Sequence, residues 1–288
     1  MTSTRPMNDR PPRTRRRWPG QYDRTMSSIA GSRWVVTGAA GNIGCALRSA
    51  LLERHAVLVS TDIRPITSSA PQESVASVDL ADLENLVELF AGADGVVHLG
   101  GIADEADFHD LAEANIVGTY HVLEAARRAG VRRVVYASSN RLTGSYAASD
   151  HVSPDMPPRP DGFYGVSKAA GEALCRLYAD KFGMSTISLR IGSYEEQPSS
   201  AREQQTWLSP ADAIRAFVAA MTTTEHTAVF YAVSANTNGW WDLQPGEAVG
   251  FFPRDDAAAW GTREVLALDV PQGGRYATAA YSTDRMRR

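Results

Sequence analysis

The stretch "VVTGAAGNIGCALR", residues 35–48, carries three glycines, Gly38, Gly41 and Gly44, between an apolar run and a helical pattern. Glycine there permits positive φ in a tight turn and lets a pyrophosphate approach the backbone. A helix starting near Asn42 and Ile43 then points unpaired N–H groups at that anion. A glycine triplet alone also fits an ordinary turn. Its position directly after the first strand is what turns the reading toward a dinucleotide site.

Working outward, short apolar runs alternate with helical stretches. The expected strands are "RWVVTG" (33–38), "AVLVSTD" (56–62), "SVASVDL" (74–80), "DGVVHLGG" (94–101), "RRVVYASSN" (132–140) and "STISLRIGS" (185–193). Helices are expected over 42–54, "LENLVELFAGA", 104–129 and 163–182. This alternation predicts an α/β fold, a Rossmann-type doubly wound parallel sheet. After residue 193 the regularity weakens. "SPADAIRAFVAAMTT" reads as a helix with Ser209 as N-cap and Pro210 at its first position, and "AVFYAVSA" (228–235) as a strand. The expected division is a disordered basic leader (1–32), a dinucleotide-binding core (33–193), a small C-terminal substrate cap interleaved with the core (194–272) and a mobile tail (273–288).

Asp62 ends the second expected strand, about twenty residues beyond the glycines, where an acid takes both adenosine-ribose hydroxyls. A carboxylate there repels a 2′-phosphate, so NAD is expected over NADP. Arg64 blurs that preference only if it is not a solvated loop side chain. Asp79 and Leu80, at the end of the third strand, are placed beside the adenine, with a helix N-cap as the alternative for Asp79. Leu99, Gly100 and Gly101 in "HLGG" put flexible backbone under the cofactor.

The 288 residues, 43% hydrophobic and 22% charged, suit one large soluble domain. No apolar run approaches the ~20 residues that span a bilayer. Cys45 and Cys175, far apart in sequence, read as free, partly buried thiols of a cytoplasmic protein. The six histidines show no zinc-ligand spacing, so no metal is expected. The net charge of −4 hides seven arginines in residues 1–25 against Asp9 and Asp23, which leaves the remainder near −9. No apolar segment follows "RPPRTRRRWPG", so it is not an export signal, and the acidic body does not suggest a nucleic-acid partner. The leader reads as disordered, or as an over-extended start with Met26 as the true beginning.

Tyr164 and Lys168, one of only two lysines in the chain, stand four apart on an expected helix and so share a face. A tyrosine with the ordinary pKa of about 10 is a poor base, and a nearby ammonium favours its phenolate. Ser139, in "ASSN" at the carboxyl end of the preceding strand, can hold a substrate hydroxyl while Tyr164 takes its proton.

The glycine spacing, Asp62, Ser139 and the Tyr164–Lys168 pair resemble the extended, epimerase-like short-chain dehydrogenases/reductases. "VTGAAGNIG", "VVHLGGIA", "ASSN", "RPDGFYGVSKAAGEAL", "LRIGS", "TWLS" and "SANTNGWWD" are more narrowly similar to bacterial uronate dehydrogenases. That resemblance implies NAD-dependent oxidation of the C1 hydroxyl of a hexuronate to an aldarolactone. It makes Tyr164 the base, Ser139 the residue that orients the hydroxyl, and Lys168 the residue that tunes Tyr164 and holds the ribose. It also implies that Asn140 contacts sugar hydroxyls and that Arg190 grips the carboxylate, a structural salt bridge being the alternative for Arg190. Two positions depart from the family pattern, Ala103 in place of a serine and Arg141 in place of a histidine. Arg141 would then bring a second cation, suited to a differently placed carboxylate or a more anionic substrate, an outward-pointing side chain being the alternative. By analogy with the superfamily a homo-oligomer is expected. The rivals are a nucleotide-sugar epimerase or dehydratase, whose dehydratase members carry Asp-Glu where Asn140-Arg141 stand, and a non-catalytic NAD sensor, which would typically lack Tyr164 or Lys168.

Overall fold

The computed structural model describes residues 29–261 and 266–286, so most of the expected leader lies outside the described residues. In chain order the strands are β1 (Arg33–Thr37), β2 (Val57–Thr61), β3 (Glu73–Ala76), β4 (Gly95–His98), β5 (Arg133–Ser139), β6 (Ser185–Ile191), β7 (Ser193–Tyr194), β8 (Trp207–Leu208) and β9 (Thr227–Ala232). The helices are α1 (Asn42–Glu53), α2 (Leu83–Phe90), α3 (Phe108–Leu111), α4 (Gly118–Arg128), α5 (Phe163–Phe182), α6 (Glu203–Thr206), α7 (Pro210–Thr222), α8 (Gln244–Ala248) and α9 (Ala279–Thr283). Seven strands form one parallel sheet in the order β3-β2-β1-β4-β5-β6-β9, and β7 pairs with β8 apart from it.

The central strands are apolar almost without interruption because both of their faces are covered. Alternate residues of β1 therefore serve two cores. Trp34 and Val36 pack with α1 and α7 through Leu47, Leu51 and Phe217. Val35 packs on the opposite face with Phe90, Val122 and Tyr178. Strand order reverses between β1 and β4, which opens a crevice at the carboxyl ends of the strands.

The structure departs from the sequence expectations in several places. The helix expected over 104–129 starts only at Phe108, where Asp107 caps α3 by accepting from the His109 amide at 2.9 Å. Between α3 and α4 one π-helical stretch, Ala112–Val117, turns Asn115 inward. The Asn115 side chain accepts from the Ile102 amide at 2.8 Å and donates to Ser167 Oγ at 2.9 Å, tying the loop after β4 to α5. Strand β3 ends at Ala76, which leaves Asp79 and Leu80 in a loop.

The expected cap is also smaller than residues 194–272. Strand β9 joins the main sheet beside β6, and α7 packs on α1, so both complete the core. What remains of the cap is held by Trp240 and Trp241 of "GWWD", with Tyr231 stacked on Trp241 at 4.9 Å. Finally, the segment expected to be a loose tail packs against the crevice. It forms a 3-10 turn over Gly274–Ala277 followed by α9, and Gly273 donates to the Gly144 carbonyl at 2.7 Å. Both cysteines are free, but Cys45 is exposed rather than partly buried. Among the described residues no helix is long and apolar enough to cross a membrane.

Candidate active site

A cavity of about 640 Å³ fills the crevice. Gly38, Gly41, Asn42, Ile43, Gly44, Leu99 and Gly101 wall one end, and Ala103, Ser139, Asn140, Arg141, Tyr164 and Lys168 wall the other. The glycine loop is sterically closed on the side away from the cavity. Gly38 has φ +67°, and a Cβ there would stand 2.6 Å from the Gly100 nitrogen. A Cβ on Gly44 would stand 2.5 Å from the Gly38 carbonyl oxygen. Helix α1 has neither a side-chain cap nor an acid in its first turn, which leaves its N-terminal amides for an anion. This cradle fits the pyrophosphate of a dinucleotide.

Asp62 is buried at the end of β2, where it accepts from the Ala40 amide at 3.0 Å and from the Arg64 amide at 2.9 Å. The carboxylate is thereby fixed to the glycine loop, in position for ribose hydroxyls. The Arg64 guanidinium is mostly exposed and turns back to Asp62 at 3.4 Å. Asp62, Asp79, Leu80 and Gly100 lie beside the cavity and not in its wall. Leu80 packs beneath Gly100, while Asp79 accepts from the Ala81 amide at 2.9 Å. The N-cap of α2 is Asp82 and not Asp79.

A neutral hydrogen-bond chain supports this half of the crevice. Thr119 donates its only hydroxyl proton to the Asn115 carbonyl at 2.6 Å, so it must accept from His98 Nε2 at 3.1 Å. His98 Nδ1 is then the acceptor for Thr37 Oγ1 at 2.8 Å, and Thr37 in turn accepts from the Gly100 amide at 3.3 Å. Burial, helped by the Lys168 charge, pulls the His98 pKa down to about 3, which keeps the imidazole neutral.

Ser139, Tyr164 and Lys168 come together in the cavity wall. Ser139 ends β5 in extended conformation, while Tyr164 and Lys168 lie in the first two turns of α5, all three buried. Burial pushes the Tyr164 pKa up to about 12, opposed by its hydrogen bond with Ser139 and by the charge of Arg141. Lys168, which burial pushes down to about 8, donates to the Ala137 carbonyl at 3.0 Å. Its Nζ lies 5.7 Å from the centroid of the Tyr164 ring. The Arg141 guanidinium carbon lies 5.6 Å from the same centroid, so both cations stand beside the phenol.

Three arginines divide the remaining work. Arg190, expected to grip a carboxylate, is buried outside the cavity wall. It forks onto Glu172 at 3.0 and 2.9 Å and donates to the Tyr231 hydroxyl at 3.3 Å. Glu172 also accepts from Ser138 at 2.5 Å, so Arg190 is the structural salt bridge at the strand end.

Arg141 lines the cavity but brings no surplus charge. Its guanidinium meets Asp161 at 2.5 Å, Asp104 at 3.3 Å and Glu105 at 3.4 Å, with Tyr276 stacked on it at 4.2 Å. Burial alone would lower its pKa, but these three carboxylates outweigh burial and raise it. The idea that Arg141 suits the pocket to a more anionic sugar is thus corrected.

Arg202, which sequence reasoning missed, is the third. It lines the cavity, donates to the Gln272 carbonyl at 2.9 Å and to Ser193 at 3.1 Å, and meets Glu203 at 3.7 Å. Burial lowers its pKa, and Glu203 and Asp161 do not make up the difference. Its Nη2 makes no hydrogen bond among the described residues, and a guanidinium edge so placed in a cavity wall can fork onto a carboxylate. Its stretch, "SSAREQQTW", has no periodicity to set Arg202 apart. Tyr276, also in the wall, was hidden in the expected tail. Asn140 also lines the cavity, and its buried Nδ2 has no hydrogen-bond partner among the described residues.

Residues 34–195 match the NAD dependent epimerase/dehydratase family. The chain is 38% identical to uronate dehydrogenase of Pseudomonas putida over 88% of its own length and 98% of that protein. It is 37% identical to an L-arabinose 1-dehydrogenase (NAD(P)⁺) of Haloferax volcanii, over 79% of this chain and 98% of that one. It also superimposes on a variant of the uronate dehydrogenase of Agrobacterium tumefaciens solved in complex with NAD, with a TM-score of 0.81 and 38% identity over 86% and 97% of the two chains. The glycine cradle, the Ser139–Tyr164–Lys168 trio and these likenesses agree, and the chain belongs to the NAD-dependent epimerase/dehydratase family.

Proposed function

We propose that this protein oxidises the C1 hydroxyl of a hexuronate of the glucuronate or galacturonate class, with NAD⁺ as the oxidant, to an aldarolactone. The observation that carries the proposal is Arg202, a buried guanidinium in the wall of the cavity that also holds Ser139, Tyr164 and Lys168, with its Nη2 in no hydrogen bond among the described residues.

In this reading Arg202 binds the C6 carboxylate, and the Asn140 amide donates to a ring hydroxyl. Ser139 holds the C1 hydroxyl. Tyr164 takes its proton as the hydride leaves C1, and the remaining electron pair closes the C1 carbonyl of the lactone. NAD⁺, when bound, supplies the acceptor for that hydride. Arg141 and Lys168 flank the Tyr164 ring, and three carboxylates around Arg141 keep it from competing for the substrate. Lys168, anchored on the Ala137 carbonyl, has its other protons available for ribose hydroxyls. Asp62 receives the adenosine ribose and disfavours a 2′-phosphate.

The likeness to an arabinose dehydrogenase makes a neutral aldose the rival substrate, and Arg202 weighs against it. Free thiols fit a reducing compartment, and we place the reaction in the cytoplasm. A homo-oligomer would bury the apolar side chains exposed on α4 and α5, Tyr120, Leu177 and Phe182. Sedimentation of the purified chain decides that point.

The direct test supplies NAD⁺ with glucuronate, galacturonate, arabinose and glucose in turn. NADH formation with the uronates, lost in Tyr164→Phe, is the expected result. NADH formation with the neutral sugars alone would refute the proposed substrate, and isomer conversion of a UDP-sugar without net NADH would favour an epimerase.

A further inference from the structure

Helix α5 carries both Tyr164 and Lys168, yet it starts without a local cap. Its N-cap is Gly162, which has no side chain to accept the amides of the first turn. A helix start buried in this way needs an acceptor from elsewhere. Glu105, on the loop after β4, provides it. One carboxylate oxygen accepts from the Phe163 amide at 2.7 Å, and the other accepts from the Tyr164 amide at 3.2 Å. The Glu105 side chain is fully buried, and a Cβ on Gly162 would collide with its carboxylate. The missing local cap and the distant one therefore fit each other.

The same carboxylate reaches further. It accepts from Arg141 Nη2 at 3.4 Å and from the Ser282 hydroxyl of α9 at 3.0 Å. It thus joins the loop that carries Ala103, the Arg141 guanidinium beside the Tyr164 ring, and the C-terminal segment that brings Tyr276 into the cavity wall. Glu105 itself is not in that wall.

We infer that Glu105 is a positioning residue: by capping α5 through the backbone amide of Tyr164 itself, it sets the catalytic phenol relative to Ser139 and couples that placement to the loop beside Ala103. The inference rests on the proposed dehydrogenase reading for its kinetic test, but the cap is tested without it.

Two measurements on the full chain decide it. First, hydrogen exchange of the peptide spanning Phe163 and Tyr164 should accelerate in Glu105→Ala, with the C-terminal half of α5 unchanged. This readout needs no substrate, so it stands even if no uronate is oxidised. Second, using whichever sugar the wild type oxidises, kcat of the folded Glu105→Ala enzyme should fall about 100-fold, the scale of a displacement near 1 Å at the reacting groups. KM and NAD⁺ affinity should stay within about threefold, because Glu105 makes no bond to Arg202, Asn140 or the glycine cradle. Glu105→Gln keeps one acceptor at the right reach and should recover about tenfold of the loss, an observable step of roughly one decade. Glu105→Asp keeps the charge but falls short, and should recover less. Unchanged exchange at the start of α5 would overturn the inference. So would a lower melting temperature with kcat intact, or rescue by Asp and not by Gln, which would make the effect one of charge alone.

Discussion

The two ends of the cavity are built on opposite principles. The dinucleotide end is made of backbone, and its defining parts are a single run of sequence, Gly38 to Gly44, placed between β1 and α1. Beneath it, His98 is held neutral in a chain of hydroxyls and amides. The other end is walled by Asp104, Arg141, Arg202 and the turn bearing Tyr276, and backed by the buried carboxylates of Glu105 and Asp161, all from distant segments. Backbone cradles are specified locally by residue size, while a buried charge cluster exists only once the chain has folded. Arginine–carboxylate matching then decides which cation is left for a ligand.

The largest effect should come at the seam between the two ends. Tyr164→Phe is expected to lower kcat/KM about 1000-fold while NAD⁺ titrated against protein fluorescence binds as before, since only proton transfer is removed. Weakened NAD⁺ binding in that variant would mean that the phenol belongs to the cofactor end. Next, the two arginines should part company. Arg202→Gln is expected to cost about 100-fold in kcat/KM for a uronate and to leave NAD⁺ affinity alone. Arg190→Gln should instead lower the melting temperature with KM unchanged, because it strands Glu172. The reverse pattern would restore Arg190 as the carboxylate ligand.

The neutrality of His98 can be broken by acid. Its folded pKa, near 3, lies below the ordinary value of about 6.5, so below that pH the unfolded chain binds a proton that the folded chain refuses. The His98 contribution is therefore present above pH ~6.5 and is lost as pH falls toward 3. Between pH 7 and pH 5 the loss should reach about 2 kcal/mol in urea unfolding, with a shallower slope in His98→Gln. An equal slope in both would show that His98 titrates normally. The smallest effect is expected from one methyl group at the backbone end. Gly44→Ala drives a Cβ toward the Gly38 carbonyl and should weaken NAD⁺ about tenfold, or roughly 1.4 kcal/mol, with KM for the sugar unaffected.

This division also explains what could be read in advance. The alternation of apolar runs and helices located the sheet, because buried parallel strands leave a strong local pattern, and α5 runs over the residues expected of it. The glycine loop, Asp62, Ser139, Tyr164 and Lys168 were legible because spacing alone places them at strand ends or on one helix face. Arg190 was misread for the same reason. A strand-end arginine looks like a ligand until Glu172, eighteen residues earlier on α5, turns out to hold it. Arg202, Glu105 and Tyr276 had no local signature at all. Their roles come from contacts to Gln272, to the start of α5 and to Arg141, which no periodicity encodes.

The most direct test is a comparison of initial rates of NADH formation from galacturonate and from galactose, which differ only in the C6 carboxylate, in the wild type and in Arg202→Gln. The account predicts a strong preference of the wild type for galacturonate, lost in the variant through the uronate rate alone. Equal rates for the two sugars in the wild type, or a preference that survives Arg202→Gln, would contradict it.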